Sequence, residues 1–125
     1  MKNIKSIYYH IGGTPMAEDV GIGSTRENYV RADVYYSEGG YSLFTYKNTP
    51  RAYFMSVHMV GRGKDACGYF ESTAIFQNNG AKMLLQEVTR QSKKREAEAL
   101  AYFEEHIDEY VAKIYPDLKL EREVA

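Results

Sequence analysis

The sequence predicts an α+β domain: a twisted antiparallel sheet of four to five strands, followed by a long C-terminal helix that bends near residues 89–96. Three observations carry this. Residues 29–37 alternate, with Val30, Ala32, Val34 and Tyr36 on one face and Tyr29, Arg31, Asp33 and Tyr35 on the other. Turn residues punctuate the chain at Gly12-Gly13-Thr14-Pro15, Glu38-Gly39-Gly40 and Asn48-Thr49-Pro50-Arg51. After Asn78-Asn79-Gly80 the apolar period changes from two to that of a helix.

Taken in order, Lys5 to Ile11 reads as a strand, and Thr14 to Asn28 as a loop, being poor in apolar residues. Tyr29 to Ser37 is a strand, turned at the paired glycines, whose freedom at positive φ suits a tight reversal. Tyr41 to Lys47 is the returning strand, and Pro50 marks the next turn. Ala52 to Val60 is strand again, Gly61 to Gly68 a polar loop, and Tyr69 to Phe76 the last strand. Met83, Leu84 and Val88 suggest a first helical stripe, with Asn78 or Asn79 as its cap. Residues 89–96 contain no apolar side chain but keep good helix propensity, so an exposed continuation or bend is expected.

Leu100, Phe103, Ile107, Tyr110 and Ile114 then recur at steps of three and four, a heptad seam closed by Pro116. Two readings of the seam stay open. It packs on its own sheet, or it forms a homodimer interface. A helix begun near Ala81 would reach the far edge of a small sheet near Lys94, since each residue advances ~1.5 Å. On that geometry residues 98–115 leave the sheet and meet a second subunit, and the last nine residues fray.

Composition sets the outer bounds. The 125 residues fit one domain, with the sheet over residues 4–76 and the helical region over 80–115. A hydrophobic share of 44% against 26% charged residues argues against disorder. The longest stretch without Lys, Arg, Asp or Glu is twelve residues, Ser6 to Ala17, well under the ~20 a membrane span needs. Residues 1–5 lead into no apolar segment, so no secretion signal and a cytoplasmic location are expected. The lone Cys67 excludes an intramolecular disulfide and a paired-cysteine zinc site.

Charge is polarised along the chain. Residues 1–95 hold 13 Lys or Arg against 8 Asp or Glu, while residues 96–125 hold 3 against 9. A basic body with an acidic tail suits a polyanion binder, and equally a domain with one solvated acidic helix. Nine of the twelve tyrosines precede Phe76, and there is no tryptophan. Tyrosine suits half-buried strands, and it also makes stacking platforms.

The strand faces can be matched. The Val30 face continues through Tyr53, Met55, Val57 and Met59 if the intervening connection contains a three-residue loop or a bulge. The opposite face then gathers Tyr29, Tyr35, Phe44, Tyr46 and Phe54 among Arg31 and His58. Rings among cations on a sheet are what single-stranded nucleic acid requires, because bases stack on rings while phosphates seek Lys and Arg. The competing reading is a face covered by the first loop or by a second subunit.

Catalytic chemistry finds little support. His10, His58 and His106 are far apart in sequence, and none has a partner at metal spacing. Cys67 paired with His58 across a hairpin end is the one conceivable nucleophile pair. Gly61-Arg62-Gly63-Lys64 is followed by Asp65 rather than Ser or Thr, so it is no Walker loop. Gly21-Ile22-Gly23-Ser24 has no strand close before it. No enzyme, metal or cofactor is expected.

Arg51-Ala52-Tyr53-Phe54-Met55-Ser56-Val57, with Ser72-Thr73-Ala74-Ile75-Phe76 and the segment Gly80 to Val88, resembles the positive cofactor four, Whirly and Pur-alpha-like group of single-strand nucleic-acid binders. The likeness covers roughly residues 29–95 and departs in the long loop before Tyr29 and in the extended acidic helix. The chain also resembles small uncharacterised proteins carried on mobile elements of gut Firmicutes. The resemblance implies sequence-tolerant binding of single-stranded nucleic acid, with DNA as the expected form. Arg31, Phe44, Tyr46, Lys47, Arg51, Tyr53, Phe54, Arg62 and Lys64 are the positions expected to contact it. The alternative is a protein–protein adaptor using the helical seam and the tyrosine-rich face.

Overall fold

The computed structural model describes residues 2–11, 18–21, 24–43, 46–65, 68–73 and 80–123. Its strands are β1 (Lys2–Ile11), β2 (Glu18–Gly21), β3 (Ser24–Ser37), β4 (Gly40–Ser42), β5 (Lys47–Thr49), β6 (Ala52–Asp65), β7 (Gly68–Thr73), β8 (Ala81–Glu87) and β9 (Leu120–Arg122). One helix, α1, runs from Lys93 to Ile114. The fold is the expected antiparallel sheet with a C-terminal helix, and several element boundaries differ from expectation.

The frame is β6 against β3, paired without a break from Thr25↔Lys64 to Ser37↔Ala52. Fourteen residues of β6 reach about 46 Å at ~3.3 Å each, long enough for two partners end to end on its outer edge. There β8 pairs with Ala52 to Val57 and β7 with Val60 to Asp65. On the outer edge of β3, β1 pairs with residues 29–36 and β2 with the first residues of the strand. Finally β9 pairs with Tyr9 to Ile11 of β1.

This topology corrects four expectations. The segment expected as a loop before Tyr29 contains β2 and the start of β3. The described residues of the expected return strand do not pair with β3: β4 and β5 pair with each other, as a short two-stranded ribbon separate from the main sheet. Gly39 and Gly40 take positive φ there, and a Cβ on Gly39 would come within 2.4 Å of the Thr49 carbonyl oxygen. Gly61 to Asp65 continue β6 rather than looping. Residues 81–87 form a strand, not a helical turn, because Ala81 and Met83 pair opposite Val57 and Met55 on the core face. The expected caps Asn78 and Asn79, and the Cys67 thiol, lie outside the described residues.

The helix therefore starts at Lys93, capped by Ser92, whose Oγ accepts from the Arg95 amide at 3.2 Å. With 22 residues ahead of it, it spans about 33 Å and crosses its own sheet instead of leaving it. Phe103 and Ile107 are 0% exposed, packed with Val111 against Ile7, Val30, Ala32, Val34, Met55 and Val57. Leu100, Tyr110 and Ile114 are partly buried against the same core. The expectation that residues 98–115 leave their own sheet is thus corrected. Its premise was a helix begun twelve residues too early. Pro116 does end the helix, but the chain then forms β9 rather than fraying. Tyr9 Oη donates to Asp108 at 2.5 Å and Arg122 lies 3.7 Å from the same carboxylate, joining β1, β9 and α1. Burial and that carboxylate push the Tyr9 hydroxyl well above the usual phenol range.

Candidate functional site

With α1 on one face, the opposite face stays uncovered by the helix. Register places Ser6, Tyr8 and His10 of β1 beside Asp33, Arg31 and Tyr29 of β3. On β6, Phe54, Ser56 and His58 lie opposite Tyr35, Asp33 and Arg31. Arg62 is further along β6 opposite Glu71 of β7, and Lys82 of β8 lies opposite Ser56. The expected grouping of Tyr29, Tyr35, Phe54, Arg31 and His58 on one face agrees with this register.

Its centre is a closed polar network. Asp33 is 7% exposed, accepts from Ser6 Oγ at 2.5 Å and from Arg31 Nε at 2.9 Å, and lies 4.0 Å from His58 Nδ1. Arg31 also donates to Glu71 at 2.9 Å and to Ser6 at 3.2 Å. Tyr8 hydrogen-bonds Glu71, and burial together with that carboxylate raises its pKa. Arg62 sits over Tyr8 at 4.3 Å and Tyr29 at 5.1 Å while donating to Glu123 at 3.2 Å. Arg31 and Arg62 are therefore straps across the sheet, each ending on a carboxylate.

The end of the face beside the β4–β5 ribbon is different. Tyr35 and Phe54 stack at 5.5 Å with 14° between their planes, and the Lys82 ammonium stands 5.5 Å from the Phe54 ring. These side chains, with Tyr41, Gly40 and Thr49 of the ribbon, border a cleft of about 330 Å³, within the range of small-ligand clefts, roughly 300–1,000 Å³. Tyr41 is 55% exposed and Tyr46 76%. Tyr46 holds φ at 55°, a left-handed backbone that a bulky residue adopts at a cost. Among the described residues Lys47 and Lys82 make no ion pair.

The positions expected to contact nucleic acid thus separate. Tyr46, Lys47 and Arg51 belong to the ribbon end, and Phe54, only 5% exposed beneath Lys82, floors its cleft rather than standing open as expected. Arg51 is exposed but already braces the helix connector through Thr89 O at 2.6 Å. Arg31 and Arg62 lie on the face but are charge-paired. Tyr53 is corrected: it is 0% exposed on the core face, where its hydroxyl donates to Ser92 O at 3.2 Å and accepts from Ser92 N at 3.3 Å. Phe44 and the Lys64 side chain lie outside the described residues.

Tyr8, Tyr41, Glu71, Lys82 and Glu123 were not anticipated as site residues. The alternation Ser6, Tyr8, His10 against Ile7, Tyr9, Ile11 would have placed Tyr8 on this face. Lys82 was hidden by reading residues 81–87 as helix. Nothing local in the sequence announces Glu71 or Glu123 as partners of arginines 40 and 61 residues away.

Among the described residues no three His, Cys, Asp or Glu side chains gather to hold a metal ion, and no helix is long and apolar enough to cross a membrane. The chain matches no family model, none of the curated proteins and none of the solved structures.

Proposed function

We propose that this chain binds single-stranded nucleic acid with little sequence preference, entering the open sheet face at the β4–β5 ribbon. The observation that carries the reading is the gathering of exposed rings and cations at that end: Tyr41 and Tyr46 are exposed, Lys47 and Lys82 make no ion pair among the described residues, and Lys82 stands above the Phe54–Tyr35 stack. A base has an aromatic platform there, and its phosphate has Lys82, which among the described residues is paired with no carboxylate. DNA is the expected form, and a small accessory protein of a mobile element the expected setting.

Fluorescence anisotropy with labelled oligothymidylate across a salt series tests this. Affinity should fall with a log–log slope of about −0.7 per phosphate contacted. Tyr41→Ala should cost about 1–3 kcal/mol if its ring stacks on a base. Lys82→Met should reduce the slope by about one contact's worth, ~0.7. A salt-independent signal, or equal affinity for a duplex, overturns the reading. The charge-paired centre of the face favours a protein partner as the second reading, and that partner would leave the oligonucleotide unbound.

A further inference from the structure

We propose that the guanidinium of Arg62, seated between Tyr8 and Tyr29, is a second phosphate-binding position on the open face, which the Glu123 carboxylate occupies until a nucleic-acid strand displaces it. The inference rests on the single-strand reading above and adds how the far end of that face is gated.

Arg62 comes from the middle of the sheet, and Glu123 directly follows β9 at its edge. The Arg62 side chain reaches over Tyr8 to the carboxylate, with its guanidinium carbon 4.3 Å from that ring's centroid. Tyr29 borders the same guanidinium at 5.1 Å, with Tyr8 and Tyr29 edge to face at 6.4 Å. A guanidinium held on rings and donating to an oxygen anion is already arranged for a phosphate, which accepts the same N–H groups. The occupant is weakly held. Arg62 and Glu123 side chains are 39% and 36% exposed and meet through one bond at 3.2 Å, the kind of pair that contributes little in water. Arg31 is held by three partners, so the two straps are unequal.

Space and position agree with exchange at Arg62. The cavity of about 720 Å³ along the open edge of β1 is bordered by Tyr8 and by Glu123 itself, so a displaced carboxylate has room to turn away. The Glu123 amide donates to Tyr8 O at 2.8 Å, so the backbone stays paired when the side chain leaves. From Phe54 to Arg62 along β6 is about 26 Å at ~3.3 Å per residue, so one strand lying along β6 can meet both ends of the face.

The test titrates labelled oligothymidylate with wild type, Glu123→Gln, Glu121→Gln and the double variant Arg62→Met/Glu123→Gln, with thermal melts to confirm folding. Glu121 lies on the same edge opposite His10, two residues from Glu123, and removes the same charge without touching Arg62. Glu123→Gln should tighten binding roughly two- to fivefold, the size set by an exposed ion pair. It should leave the salt slope unchanged, because the strand contacts Arg62 in both proteins and only the cost of displacing the carboxylate differs. Glu121→Gln should leave the affinity near that of wild type, and adding Arg62→Met should abolish the gain and lower the slope by about 0.7, one phosphate lost. If wild type binds and Glu123→Gln binds no tighter, or Glu121→Gln tightens binding as much, the gate is wrong while the single-strand reading stands. If neither wild type nor Glu123→Gln binds, both fall.

Discussion

The two faces of the sheet are made from the same three long strands, and they solve opposite problems. Under α1, positions 30, 32 and 34 of β3 and 55 and 57 of β6 are fully buried and apolar. One residue out of phase, Arg31, Asp33 and His58 line a half-buried surface whose charges are used on one another. The covered face is held by non-directional burial, with each fully buried side chain contributing about 1.5–3 kcal/mol. The open face is held by directed pairs that must find particular partners. A core position therefore tolerates another apolar residue of similar volume, whereas an open-face position does not tolerate loss of its partner.

The largest expected effect lies on the covered face. Leu100→Asp with Ile107→Asp places carboxylates where Ile107 is wholly enclosed and Leu100 half enclosed. At 107 the new carboxylate is enclosed among Phe103, Val111 and the apolar strand side chains, and an unpaired buried charge costs more than a domain of this size can spare. The double variant should show no cooperative urea transition, and Phe103→Ala alone should lose about 3–5 kcal/mol. A double variant that stays folded would mean that the helix does not cover the sheet and would return the seam to a role between subunits.

The same contrast explains what was legible beforehand. The covered face could be read from Val30, Ala32, Val34 and Tyr53, Met55, Val57, because alternation is a local signal and burial acts on every second residue. The helical seam was legible too, but not its destination. Ala81 to Glu87 carries apolar residues at 83, 84 and 85, which suit either period, and the pairing with β6 decided for strand. Moving the helix start to Lys93 then reversed the inference about where the seam is buried. On the open face the residues were foreseen as a group, but their electrostatics were not. Arg31 and Arg62 look like free cations in sequence. Only the placement of β7 and β9 at opposite edges brings Glu71 and Glu123 to them.

A change of intermediate size separates the faces within one strand. Asp33 is flanked by Ala32 and Val34, yet its own environment is Ser6, Arg31 and His58. Asp33→Asn keeps the volume and can still accept from Ser6, but it leaves Arg31 with one carboxylate fewer. We expect a loss of about 1–3 kcal/mol, read as a lower urea midpoint with unchanged slope. A stability equal to wild type would mean that the network is solvated and that its carboxylates exchange freely with water.

The smallest effect is a pH dependence belonging to the open face alone. The His58 imidazole is half-buried, and burial is the largest influence lowering its pKa. Asp33 and Glu71 oppose that shift, while Arg31 adds to it. In the unfolded chain the ring takes its proton near the ordinary value, about 6.5, but in the folded chain only at lower pH. Between those two values the unfolded state holds more protons, so stability falls as pH drops through the window and levels off below the folded value. His58→Gln has no such proton to take up. From about pH 7.5 to about pH 5, wild type should therefore lose more stability than the variant, with the two curves converging in slope above pH 7. Parallel curves across the whole range would show that His58 is solvated as well in the folded chain as in the unfolded one. The open face would then be wetter at its centre than the Asp33 network requires, and Asp33→Asn should in that case also come out near neutral.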